Sequence, residues 1–220
     1  MPDHILRLYA DDLPPGGTTD ELPAGTRAIY VSGGTATLRG GGVAAALASN
    51  TAWCGPAPVR LKAGPEGARL LRWELSAGPE LPLAGAGVRS AMRLAGTPIV
   101  EPGEAYLLRC DRVDFPPGGV ALLHTHQGSG TRCLGSGRIR IETGGHAFDV
   151  EPGGAWFENG PDPVFARTWD DGPSPFVRGM ILPRRLLGQS SIGYVNPADR
   201  DKPKNQRYQV FLDEPIDLTP

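Results

Sequence analysis

The chain repeats itself. Pro14-Pro15-Gly16-Gly17 returns as Pro116-Pro117-Gly118-Gly119, Thr26-Arg27 as Thr131-Arg132, Ala52-Trp53 as Ala155-Trp156, and Gly55-Pro56-Ala57-Pro58-Val59 as Gly160-Pro161-Asp162-Pro163-Val164. The matches keep one order at offsets of 102 to 105 residues. A period of that length means one folding unit used twice, and it sets the architecture before any local pattern is weighed. The copies run from about Leu6 to Leu75 and from about Ala105 to Leu182. The expected organisation is a first barrel over 1–78, a linker over 79–104, a second barrel over 105–183 and a tail or arm over 184–220.

Each copy is built from short apolar runs broken by turns. The 220 residues include 31 Gly and 23 Pro, distributed between runs rich in Val, Ile, Leu and aromatics, which is the spacing of a β-sandwich or barrel. Strands are expected at Arg27–Leu38, Ala105–Phe115, Val120–His126, Arg132–Glu142, Ala155–Glu158, Val164–Trp169 and Phe176–Leu182. Turn chemistry separates them at Pro116-Pro117-Gly118-Gly119, Thr143-Gly144-Gly145, Pro152-Gly153-Gly154 and Asn159-Gly160-Pro161. The fold class is all-β and mostly antiparallel. In the tail, alternation over Tyr208-Gln209-Val210-Phe211-Leu212 predicts one more strand, which either covers an edge of its own sheet or exchanges with a second subunit.

Charge removes some functions. With 22 basic and 24 acidic side chains the net charge is −2, and no Lys/Arg cluster offers a phosphate backbone a surface, so nucleic acid is not an expected partner. The longest apolar stretches, such as Val43–Ala48, are far shorter than the ~20 residues of a membrane-spanning helix, and the start of the chain lacks the features of a signal peptide. Cys54, Cys110 and Cys133 are odd in number and show no CxxC spacing, so reduced thiols in a cytoplasmic protein are expected.

The chemistry concentrates in Gly118-Gly119-Val120-Ala121-Leu122-Leu123-His124-Thr125-His126. Side chains alternate along a strand, so His124 and His126 point to one side and can meet one metal ion, or else line a pocket as hydrogen-bonding groups. Two ligands hold a divalent metal poorly, because catalytic sites ordinarily offer three protein ligands plus water.

This segment resembles the first motif of the cupin superfamily, which reads Gly, five residues, HxH, three or four residues, Glu, six residues, Gly. Gly118, His124 and His126 fall in place and Gly137 fits the closing Gly. The acidic position falls on Gly130 or Thr131, and Pro163 stands where the second motif carries its His. The resemblance, taken with the repeat, implies duplicated cupin jelly-roll barrels, a bicupin. In the first copy the HxH position falls near Thr19-Asp20-Glu21, with no His.

If a divalent metal binds (Fe, Mn, Ni or Zn), oxygen donors must replace the missing ligands, from Glu158, Asp162 or Gln127. Glu158 ends an apolar run and is the expected third ligand; it can equally be a rim carboxylate paired with an Arg. Arg132, by alternation, faces inward and either clamps a substrate carboxylate or forms a buried ion pair with Glu158 or Glu142. Arg27 is its expected repeat partner. Arg178, matched by Arg72, carries the same alternatives. Trp156, Phe157, Phe165 and Trp169 are expected in the core. The metal set is thus His124, His126 and Glu158, and the substrate set Arg132, Gln127, Asp162 and Arg178, with no organic cofactor indicated. The expected ligand is a small organic molecule, with a carboxylate as one candidate, and the expected assembly a homodimer. Function divides between metal-dependent oxygenase, isomerase or lyase chemistry and a non-catalytic binding or sensing barrel.

Overall fold

The computed structural model describes residues 4–218, which form two compact units divided after Thr97. Among them regular structure is strand, apart from two short 3-10 turns at Arg184–Leu186 and Pro197–Asp199. No helix is long and apolar enough to cross a membrane.

The first unit contains β1 (Ile5–Leu13), β2 (Thr26–Gly40), β3 (Val43–Ala48), β4 (Thr51–Gly55), β5 (Arg60–Ser76) and β6 (Arg89–Gly96). They join in the order β3-β2-β5-β1-β6, with β4 also on β2. The long strands β2 and β5 shift register near Gly33 and Gly34. There Gly34 has φ +72°, and a Cβ on it would lie 2.1 Å from the Gly67 carbonyl oxygen. Only glycine permits that approach, and it lets β2 meet β4 with its first half and β3 with its second. Leu13, Ile29, Val31, Leu38, Leu61 and Leu70 pack the core.

The second unit contains β7 (Tyr106–Asp114), β8 (Val120–His126), β9 (Ser129–Leu134), β10 (Ile139–Thr143), β11 (His146–Val150), β12 (Ala155–Glu158), β13 (Val164–Thr168), β14 (Phe176–Pro183), β15 (Ile192–Tyr194) and β16 (Arg207–Ile216). One sheet runs β12-β9-β14-β7-β16 and the other β11-β10-β13-β8-β15. Val113, Leu134, Trp156 and Phe176 from the first meet Ile139, Ile141, Val164 and Ala166 from the second in one core. That is sheet-on-sheet packing with alternate residues turned inward.

Several expectations change. The single strand expected over Arg132–Glu142 is two, β9 and β10, separated at Gly137, whose φ of +71° turns the chain tightly against Ser174. The stretch 79–104, expected as a linker, carries β6 on β1. The expected tail carries β15 on β8 and β16 on β7 of its own chain.

The two units share an internal pattern. The path β4-β2-β5-β1-β6 has the connectivity of β12-β9-β14-β7-β16. Ile29 pairs with Trp53 and Arg72, as Arg132 pairs with Trp156 and Arg178. Hence Ile29, not Arg27, holds the position of Arg132. Likewise Leu22 bridges Val59 as His124 pairs with Val164, so the first-unit counterpart of His124 is Leu22 rather than a residue of Thr19–Glu21. Even the edge strands agree: β6 skips one residue between the partners of Leu8 and Tyr9, and β16 skips one between those of Cys110 and Asp111.

Candidate functional site

Alternation along β8 turns His124 and His126 inward, with ring centroids 4.9 Å apart and edge to face. His124 Nδ1 lies 2.7 Å from the Leu122 carbonyl oxygen, which makes Nδ1 the protonated nitrogen and leaves Nε2 as the acceptor. His126 Nδ1 lies 3.2 Å from Ser191 Oγ. Burial lowers the pKa of His124, against a smaller raising effect of its bond to Leu122. Burial also drives His126 well below its ordinary value, reinforced by the positive charges of Arg178 and Arg132. Both rings are therefore neutral at pH 7, and the 3.5 Å approach of His126 Nε2 to Glu158 Oε2 is no ion pair.

Opposite them, β9, β12, β14 and β7 bring four charges together. Arg132 Nη2 lies 2.6 Å from Glu158 Oε2, with both side chains buried. The two atoms are close but misaligned, so neither makes a directed hydrogen bond. The other ends are held: Trp156 Nε1 donates to Glu158 Oε1 at 2.8 Å, and Arg132 Nη1 donates to the Gly130 carbonyl oxygen at 2.5 Å. Burial brings the Arg132 pKa down to about 10, with Glu158 opposing. Arg178 grips Asp111 with two bonds, Nε to Oδ1 at 2.6 Å and Nη2 to Oδ2 at 2.9 Å. Burial works to lower the Arg178 pKa, but the charge and hydrogen bonds of Asp111 leave it raised. The four charges cancel in pairs, as buried charges must.

Both His, Arg132, Glu158 and Arg178 line one pocket with Phe115, Ile141, Phe176, Ile192 and Tyr208, with Asp111 behind Arg178. Its cavity volume is about 20 Å³, on a scale where one water needs roughly 10–15 Å³. Tyr208, on edge strand β16, is 46% exposed.

Of the expected site residues, His124, His126, Glu158, Arg132 and Arg178 converge here. Glu158 is not on the rim; it is buried against Arg132. Gln127 and Asp162 lie outside the pocket. Gln127 is exposed and its Oε1 accepts from Arg185 at 3.4 Å, while Asp162 is exposed and accepts from Asn159 Nδ2 at 3.0 Å. Both sit in turns beyond strand ends, where alternation ceases to orient side chains. Of the four aromatics expected in the core, Trp156 is buried, whereas Phe157, Phe165 and Trp169 are half-buried. Asp111, Tyr208 and the Trp156 N–H are additions. Asp111 had no local signal, since β7 carries four charged residues, and its partner Arg178 is 67 residues away.

A divalent metal does not fit these residues as they stand. Among the described residues no three His, Cys, Asp or Glu side chains are grouped to hold one. Glu158 is committed to Arg132 and Trp156. Of the two positions where the cupin motif's acidic residue would fall, Thr131 carries no carboxylate and Gly130 has no space for one, since a Cβ there would lie 2.6 Å from the Gly179 carbonyl oxygen.

The first unit has its own buried charge cluster. Arg72 bonds Asp11 and Glu74, Arg27 bonds the same Glu74 oxygen, and Ser90 bonds Asp11. Unlike Arg132 and Glu158, none of these four charged side chains has a buried polar atom without a hydrogen bond.

No family model matches the sequence, and no curated protein matches it. Solved structures do. Two variants of oxalate decarboxylase OxdC from Bacillus subtilis superpose over 90% of this chain and 73% of theirs, at 14% identity and TM-scores of 0.67 and 0.68. A structure concerned with the substrate binding mode of oxalate decarboxylase matches over the same shares with a TM-score of 0.67. The chain shares the all-β fold of these oxalate decarboxylase structures. At this identity the likeness extends to the fold and not to the chemistry.

Proposed function

We propose that the chain is a duplicated cupin whose second unit binds a small oxygen-bearing organic molecule through hydrogen bonds and fixed charges. The duplication is supported by the matched strand order and by the Ile29/Arg132 and Leu22/His124 correspondences. Those same correspondences put Ile29 and Leu22 where the second unit has Arg132 and His124, which suits a supporting role. Cys54, Cys110 and Cys133 as thiols suit a reducing compartment, and we place the protein in the cytoplasm.

One observation carries the binding reading. Arg132 Nη2 and Glu158 Oε2 are buried polar atoms without a directed hydrogen bond, on the wall of an apolar pocket. The ion pair between them leaves hydrogen-bonding capacity on both atoms unused, and an apolar chamber with a few convergent polar groups is the usual form of a small-molecule site. An oxygen-bearing head group can accept from Arg132 while its apolar body lies against Phe115, Ile141 and Phe176. Entry requires Tyr208 to move, since the closed cavity has room for about one water.

The test is thermal unfolding with oxalate, butyrate and butyramide as probes. At about 100 times Kd a bound probe stabilises by ~2.7 kcal/mol, a shift of several degrees. At least one probe is expected to raise the Tm of the wild type and not of Arg132→Gln. No shift with any probe, in the wild type or in Tyr208→Ala, overturns the reading. Butyrate against butyramide separates an anionic head from a neutral one.

A resident metal is the second reading, favoured by the way Leu122 holds His124 with Nε2 free. Elemental analysis decides it. Stoichiometric Fe, Mn, Ni or Zn, lost in His124→Ala with His126→Ala, would establish the metal site; protein without it supports the first reading.

A further inference from the structure

We propose that the guanidinium of Arg132, held against Glu158 and the Gly130 carbonyl, stands in place of a metal ion as the pocket's built-in cation, so that removing it opens a metal site. The inference rests on reading the wild-type pocket as metal-free.

The donors around Arg132 are spaced for a shared cation. Zinc-type ions bind imidazole nitrogen and carboxylate oxygen at about 2.0–2.2 Å, which places two neighbouring donors roughly 3.0–3.5 Å apart. His126 Nε2 and Glu158 Oε2 are 3.5 Å apart. His124 keeps Nε2 unprotonated because Nδ1 donates to Leu122. His126 and Glu158 are thus the paired donors and His124 lines the same pocket, yet the positive charge present there belongs to a side chain.

Arg132 also sits as a substitute would. Its Nη2 is 2.6 Å from Glu158 Oε2 without the alignment of a hydrogen bond, a contact made by charge rather than by direction. Its Nη1 is anchored on Gly130, one of the two positions for the motif's acidic residue, where the close approach of β14 excludes any side chain. A divalent ion added beside this guanidinium, with Arg178 also lining the pocket, would meet strong repulsion in a poorly screened interior. Once Arg132 is shortened, that repulsion falls and Glu158 is left buried without its counter-charge, which favours a metal.

The experiment is a Co²⁺ titration of the full chain, read by visible d–d absorption and by competition with a chromogenic chelator. The proteins are wild type, Arg132→Ala, Arg132→Met, and Arg132→Ala with His126→Ala, each checked for folding by circular dichroism. Wild type is expected to give no saturable band. Arg132→Ala is expected to saturate at one Co²⁺ per chain with affinity raised at least about 100-fold, and the second substitution at His126 to remove the band. If Arg132→Ala fails to fold, Arg132→Met is read in its place. Tight binding by wild type would overturn the metal-free reading together with this inference. Folded Arg132 variants that bind no better than a metal-free wild type would overturn the inference alone.

Discussion

Arg132 Nη2 lies 2.6 Å from Glu158 Oε2, and both side chains are almost wholly removed from water. Each charge is tolerated because the other is there. Glu158→Ala is therefore expected to destabilise the protein by about 3–5 kcal/mol, since it leaves a buried guanidinium without its partner. Arg132→Met combined with Glu158→Leu is expected to cost less than Glu158→Ala alone. Urea unfolding of the variants checks both, and a double variant as unstable as the single one would contradict the account.

Stability should fall with acid below about pH 6.5. His124 and His126 have lowered pKa values in the fold, while in the unfolded chain they titrate near 6.5. Between the folded and unfolded values the unfolded state binds more protons, so stability is lost as the pH falls. Each His contributes a slope of up to ~1.4 kcal/mol per pH unit. Urea midpoints measured from pH 7.5 to 5 are expected to show this decline, and His126→Gln to reduce it by about half.

Gly130→Ala tests the packing that excludes the acidic ligand. Its Cβ would lie 2.6 Å from the Gly179 carbonyl oxygen and 2.9 Å from Met180 Cγ. A loss of about 1–3 kcal/mol or more is expected from such overpacking. Gly172→Ala, which meets nothing within 4 Å, is expected to stay within about 0.5 kcal/mol of wild type. Equal effects in the two variants would rule out the steric explanation.

In the first unit, one Glu74 oxygen serves both Arg27 and Arg72. Glu74→Ala is expected to cost at least about 3–5 kcal/mol, because two buried guanidinium groups lose a partner together. Amide hydrogen exchange should accelerate in β2 and β5. Unchanged exchange there would show that the cluster adds nothing to stability.

The sequence by itself determined the all-β class, most strand positions and the inward direction of His124 and His126. These follow from local rules: turn residues punctuate the chain, and side chains alternate with period 2. It also brought Glu158, Arg132 and Arg178 into consideration, since each sits on a strand whose alternation is readable. Alternation fails in turns, which is why Gln127 and Asp162 fall outside the pocket.

Only the tertiary structure decided which charge meets which. Arg132 with Glu158 and Arg178 with Asp111 are contacts between strands distant in the chain, and nothing local encodes them. The counterpart of Arg132 shows the limit most clearly. Matching Thr26-Arg27 to Thr131-Arg132 selects Arg27, whereas the hydrogen-bond register selects Ile29. A slip of two residues keeps every side chain on its own face, so the hydrophobic pattern cannot detect it. The register can, because it is set by which backbone groups pair across the sheet, and that pairing exists only once the strands have come together.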